Sequence, residues 1–265
     1  AGIQADIKTV TMLNGFAATA ITALTAQNTL GVEGVMAVPA DFVLKQIDTV
    51  VSDIGVDSVK IGMIGAAETA QAVAERVETL HVPVVFDPVM VTSSGSTLAD
   101  PATIAVFDRL LSISAVATPN IPELEALAGL TIANAPDRDR AVEEVMDRTG
   151  CRALLAKGGH LFTADGDVHD VLYASGHDEH HWSSPRIDTR HDHGTGCTLA
   201  SGIATGLGRG EGLVEAISRA REYVRTAMLA APGFGEGHGP MGHALGAVPF
   251  EKSTAKEMRF QLSLE

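Results

Sequence analysis

The chain has 265 residues, 45% of them hydrophobic, 20% charged and 4% aromatic, with a formal net charge of -14. That is enough apolar residue for one globular domain with a full core, and the acidic balance disfavours a nucleic-acid partner, whose phosphates are bound by surplus lysine and arginine. No apolar run reaches the roughly 20 residues of a membrane span, and Ala1-Gly2-Ile3-Gln4-Ala5-Asp6 lacks the basic-then-apolar pattern of a signal segment, so a cytoplasmic location is expected.

Short β-branched runs at residues 17–24, 58–64, 82–89 and 115–118 predict strands. Between them 39–54, 67–80 and 101–111 predict helices; in the first, Phe42, Val43, Ile47, Val50 and Val51 recur near the helical period. Alternation of this kind marks βαβ units and a mostly parallel sheet. The run Val82-Pro83-Val84-Val85-Phe86 is apolar without alternation, as in a strand covered on both faces. Asp87 then falls at a strand's carboxyl end, the edge where open α/β sheets bind ligands. A strand at 153–156 places Lys157-Gly158-Gly159-His160 at the same edge. Residues 163–181 are polar and broken by Gly166 and Gly176, with one strand of a hairpin at 168–174. The predicted organisation is one domain over 1–248 and a tail at 249–265.

Two cysteines, Cys151 and Cys197, lie too far apart to suggest a disulfide framework. Cys151, just before an apolar strand, reads as a core thiol. His177, His180 and His181, with His191 and His193, fit no standard zinc spacing and are expected in loops, apart from His193.

Four places carry candidate chemistry. Gln27 ends a strand with a carboxamide that both donates and accepts, although strand-end glutamines are commonly solvated. In Lys60-Ile61-Gly62-Met63 a glycine allows close approach of a ligand and a thioether can pack on a flat ring; Met63 is equally at home as core filling. Asn120-Ile121-Pro122-Glu123 reads as a helix N-terminal box. Finally, Asp188-Thr189-Arg190-His191-Asp192-His193-Gly194-Thr195-Gly196-Cys197 precedes a small-residue helix. Glycines there are either plain turn chemistry or an anion site of converging N–H groups at the positive end of a helix dipole. Cys197 would lie in the first turn, where the dipole lowers a thiol pKa; the alternative is a buried small hydrophobe.

Gly194-Thr195-Gly196-Cys197 after Ile187-Asp188-Thr189-Arg190 resembles the anion-hole motif of the ribokinase superfamily, most members of which carry aspartate as the base. Cysteine at that point resembles the hydroxymethylpyrimidine and phosphomethylpyrimidine kinases, with some pyridoxal kinases as neighbours. Segments 1–8, 21–29, 60–63, 87–90, 118–123, 157–160, 187–199 and 237–240 resemble that family's motifs in its order. Two departures stand out: His191-Asp192 replaces an expected asparagine and threonine, and the family's opening strand and glycine loop ahead of Ala1 are absent.

The resemblance implies a three-layer α/β/α ribokinase-like fold with a mostly parallel central sheet, a homodimer, and two ATP-dependent phosphorylations in thiamine biosynthesis, of hydroxymethylpyrimidine and then its monophosphate. It implies Cys197 as base beside the anion hole of Gly194, Thr195 and Gly196. Gln27, Met63 and Gly2 would meet the pyrimidine, and Asn120, Lys157, Thr189 and His193 the nucleotide and phosphates. Asp87 and Glu123 would hold Mg2+, which needs few carboxylates beside waters and substrate phosphates. Pyridoxal kinase and a non-catalytic pyrimidine sensor are the alternatives.

Overall fold

The computed structural model describes residues 1–90, 100–160 and 166–245. The tail expected at 249–265, and the start of the polar segment at 163–165, lie outside the described residues. The elements run α1 (Ile3–Met12), β1 (Ala23–Gln27), β2 (Val32–Ala37), α2 (Ala40–Asp53), β3 (Val59–Ile61), α3 (Ala67–Glu78), β4 (Val84–Phe86), α4 (Pro101–Ile113), β5 (Val116–Ala117), α5 (Ile121–Ala128), α6 (Ala135–Thr149), β6 (Ala153–Ala156), β7 (Asp167–Ala174), β8 (His180–Pro185), α7 (Thr195–Gly208) and α8 (Leu213–Leu229).

The central sheet has the order β3-β4-β5-β6-β7-β8. Strands β3 to β6 pair in parallel, whereas β7 is antiparallel to both β6 and β8, so β7 alone runs against the rest. Right-handed crossovers between successive neighbours in one direction must put all their helices on one face. Accordingly α3, α4, α5 and α6 cover that face, packing Val73, Phe107, Leu124 and Val142 against Val84, Phe86 and Leu154. The opposite side chains of the same strands, Val85 and Leu155, meet Leu199, Ile203 and Ile217 of α7 and α8. Every residue of β4 and β6 is buried, successive side chains entering opposite helical layers, as a strand covered on both faces requires. The three-layer α/β/α arrangement is therefore observed.

Caps explain several boundaries. Asp100 accepts from the Thr103 N–H at 2.7 Å to start α4, with Pro101 at its first position. Asn120 and Glu123 form a complete capping box on α5, and Gly129 and Gly150 close α5 and α6 in the left-handed region.

Two expectations need correction. The strand predicted at 17–24 begins only at Ala23, and β1 belongs to a separate antiparallel ribbon with β2, where Ala23 faces Ala37 and a register shift falls at Ala26/Gln27. The β-branched and apolar residues before Ala23 join no strand, and β2, Val-Glu-Gly-Val-Met-Ala, is almost wholly exposed, leaving no burial alternation to detect. His180 and His181, expected in a loop, open β8 and pair with Leu172 and Val171; ladder hydrogen bonds to β7 supply what their side chains do not advertise.

Candidate active site

The residues singled out from the sequence line one cleft at the carboxyl edge of β3 to β6. Gly2, Gln27, Met63, Asp87, Asn120, Glu123, Lys157, Thr189, His193, Gly194, Thr195, Gly196 and Cys197 all face it. The cleft is long, continuing past Met63 over Val43, Ile47 and Val50 of α2 along β3, which forms one edge of the sheet.

At its centre the start of α7 meets a charged cluster. Gly194 adopts φ 90°, and a Cβ there would lie 3.1 Å from Ala1 Cα, so glycine satisfies both backbone conformation and space. No side chain caps α7, which leaves its first turn facing the cleft with the positive end of the helix dipole. Gly196 is held to small size by its neighbours: an added Cβ would sit 3.3 Å from both Asp87 Oδ2 and Lys157 Nζ.

Lys157 follows β6 and Asp87 follows β4, and they meet with Nζ 3.0 Å from Oδ1. Asp87 is 2% exposed and also accepts from Thr118 Oγ1 at 3.2 Å. Glu123 Oε2 stands 3.9 Å from the same ammonium while accepting from the Asn120 N–H at 2.8 Å. The helix-box and cleft-lining readings of Asn120 and Glu123 thus hold together. Burial pushes the Glu123 carboxyl up to about 7, with Lys157 opposing and Asp87 reinforcing the rise. The Lys157 ammonium is held above its usual range despite burial, by Asp87 and then Glu123.

Cys197 departs from expectation in one respect. Burial pushes its thiol up rather than down; Lys60 pulls it back, Asp87 and Asp6 reinforce the rise, and the Gly2 backbone N–H opposes it. A dipole at a helix start cannot by itself overcome desolvation of the anion. Cys151, by contrast, is a core thiol as expected, 2% exposed, donating to the Ala153 carbonyl at 3.2 Å and pushed up by burial to about 11.

The acceptor end is more open. Gln27 closes β1 with its amide 3.4 Å from His193 Nε2, and the Met63 carbonyl accepts from Thr22 Oγ1 at 2.7 Å. Burial lowers His193 to about 4; its N–H donates to the Gly239 carbonyl at 3.2 Å. Thr189 Oγ1 accepts from the His191 N–H at 3.0 Å, and Asp192, one of the unexpected residues, pairs with His238 Nδ1 at 2.8 Å. Sequence reasoning missed Lys60, Asp6 and Ser201, which join behind Cys197. The available signal was a lysine inside the otherwise apolar run 59–64.

Comparison with known proteins identifies the family. The family model for phosphomethylpyrimidine kinase matches residues 1–242. The bifunctional thiamine-biosynthesis protein ThiED of Geobacter sulfurreducens is 47% identical over 93% of this chain, which spans 50% of that protein. The hydroxymethylpyrimidine/phosphomethylpyrimidine kinase of Streptomyces coelicolor is 44% identical over 92% of this chain and 89% of its own. Among solved structures, a phosphomethylpyrimidine kinase from Clostridium difficile aligns with TM-score 0.74 at 35% identity, covering 86% of this chain and 93% of that one. An ADP complex of Bacillus subtilis pyridoxal kinase aligns with TM-score 0.83 at 28% identity over 92% of each chain. With the matching family model, relatives at 44% and 47% identity and the ribokinase-like layers in agreement, the chain belongs to the phosphomethylpyrimidine kinase family and is a kinase of thiamine biosynthesis.

Proposed function

We propose that this cleft transfers the γ-phosphoryl group of ATP to 4-amino-5-hydroxymethyl-2-methylpyrimidine and then to its monophosphate. The observation that carries the reading is the convergence of Cys197, at the uncapped start of α7, with Lys157, Asp87 and Glu123, in the cleft that also holds Gln27 and Met63. Phosphoryl transfer asks for alignment and charge stabilisation more than for covalent chemistry. The Gly194–Cys197 turn offers N–H groups to the moving phosphoryl oxygens, Lys157 offers a cation, and Cys197 accepts the hydroxyl proton. Gln27 would pair with a ring nitrogen and the exocyclic amine of the pyrimidine, with Met63 against its face and Gly2 beside it. Asn120, Thr189 and His193 would line the nucleotide side.

Asp87 and Glu123 fit Mg2+. Both are buried carboxylates lining the cleft and converging on the Lys157 ammonium, and two carboxylates suit an ion that keeps waters and phosphate ligands. When bound it supplies charge neutralisation for the phosphate oxygens. Because ATP is a cytoplasmic substrate, the reaction belongs in the cytoplasm; no described helix is long and apolar enough to cross a membrane. For the homodimer that the resemblance implies, the β1–β2 ribbon offers exposed Leu24, Val35 and Met36, and sedimentation should give a dimer mass.

Turnover of the hydroxymethylpyrimidine, its monophosphate and pyridoxal, measured side by side with ATP and magnesium, tests the reading. Both pyrimidines should be phosphorylated with higher kcat/KM than pyridoxal. Faster turnover of pyridoxal would overturn the substrate assignment in favour of the activity named for the Bacillus subtilis neighbour.

A further inference from the structure

Behind Cys197 lies a buried ion pair that the proposed reaction leaves without a role. Lys60, the middle residue of β3, and Asp6 of α1 have side chains only 11% and 19% exposed. Lys60 Nζ stands 3.1 Å from each carboxylate oxygen of Asp6. The same carboxylate accepts from Ser201 Oγ at 2.7 Å. Ser201 follows Cys197 by four residues in α7, so the two side chains leave one face of the helix, a turn apart. Three elements therefore fix one ammonium: β3 carries it, α1 balances it, and α7 ties that balance to the helix bearing the thiol.

Its placement is directed toward the cleft. A Cβ added at Gly62 would come within 2.7 Å of Lys60 Nζ, which puts the charge at the carboxyl end of β3, and Asp6, Lys60, Cys197 and Ser201 all face the cleft. Desolvating an ammonium is costly, and a buried pair that served packing alone would be readily replaced by apolar side chains. Of the other charged side chains, Lys157 lies on the Asp87 and Glu123 side of the cleft, and Asp87 and Asp6 oppose a thiolate. Lys60 leads the influences that favour the anion, and its own pKa is raised with Cys197 and Asp6 as the charges responsible.

We propose that Lys60, oriented by Asp6 and Ser201, is a positioning residue that favours the Cys197 thiolate against the burial opposing it, so that Sγ can take the proton of the acceptor hydroxyl. This role presupposes that Cys197 is the base, as proposed above. The hydroxymethyl O–H proton passes to Sγ while the oxygen bonds to the γ-phosphorus. The bond from that phosphorus to the β,γ-bridging oxygen breaks, its electron pair leaves with ADP, and the thiol later returns its proton to solvent.

Alkylation of Cys197 by iodoacetamide in the intact protein, read by peptide mass spectrometry across pH, reports the thiol without turnover; the buried Cys151 is resolved as a separate peptide. In Lys60→Met the alkylation midpoint should rise by about one pH unit or more, and the ascending, acid-side limb of kcat should move up with it while KM for ATP holds. Lys60→Arg, which keeps the charge, should restore much of both. Lys60→Gln keeps a donor for Asp6 and serves if the methionine variant fails to fold, with the same rise expected. An unmoved midpoint in the folded Lys60→Met or Lys60→Gln protein overturns the role, and so does a moved midpoint with an unmoved kcat limb. Near-normal turnover in Cys197→Ala would instead remove the base assignment, while the alkylation midpoint still reports whether Lys60 governs the thiol.

Discussion

Cys197 sits where opposing influences meet, since burial and two carboxylates favour the thiol whereas Lys60 and the Gly2 N–H favour the anion. As a general base it should be worth about 10²–10⁴-fold in rate, so Cys197→Ala should bind ATP normally by calorimetry yet lose turnover on that scale; retention of most activity would refute the assignment. Gln27 makes a different demand. Its exposed amide reaches His193 at 3.4 Å, free to be redirected to a ring with complementary donors and acceptors. Gln27→Leu should weaken pyrimidine binding by roughly 10- to 100-fold with ATP affinity intact, the cost of leaving the ligand's polar edge unpaired. His193 brings a pH dependence. Its folded value, lowered by burial to about 4 from 6.5, means that the unfolded state binds more protons between those values. Its contribution to stability is therefore fully present above 6.5 and lost as pH falls toward 4. Denaturation midpoints measured across that window should fall on acidification, and His193→Asn should flatten the slope.

At the scale of elements, the loop after β6 depends on one close approach. A Cβ at Gly158 would fall 1.9 Å from the His169 carbonyl oxygen of β7, while the Gly158 N–H donates to Asp170 Oδ1 at 2.8 Å and Asp170 also accepts from Arg221 Nε at 2.7 Å. Gly158→Ala should push β6 and β7 apart, cost about 1–3 kcal/mol as overpacking, and displace Lys157. Chemical denaturation and KM for ATP should both register it, and an unchanged protein would show that the loop gives way cheaply. Helices α3 and α4 were legible in the sequence because their apolar period matched the face they bury, and α2 was legible from its period although it buries only Val43 and leaves Phe42 exposed. The cleft edge was legible because Asp87 and Lys157 directly follow apolar strands and Asn120 comes just after β5, past Thr118 and Pro119. The β1–β2 ribbon was not, since an exposed ladder leaves no alternation for hydrophobicity to report. Nor was the pairing of Lys60 with Asp6 and Ser201, because contacts across 54 and 195 positions follow from how layers stack and have no local period.

For the whole molecule, the formal charge of -14 makes the approach of an anionic nucleotide unfavourable at long range, in spite of the cations inside the cleft. Added salt screens such repulsion over about 10 Å at 0.1 M, so kcat/KM for ATP should rise modestly from low ionic strength. A steep fall would mean that local cations in the cleft outweigh the field of the rest. The sheet order has a geometric consequence of its own. Met63, Asp87, Asn120 and Lys157 follow β3, β4, β5 and β6, four neighbours in sequence, and strands lie about 4.8 Å apart. Their loops form a ruler of three divisions, about 14 Å from end to end by that spacing, comparable with a small ring followed by a phosphate chain. Each mark is borne by a different strand and can be altered separately. On the proposed function, a change at the Met63 mark would reset which ring is accepted, while the marks at Asp87, Asn120 and Lys157 would go on measuring the same phosphate.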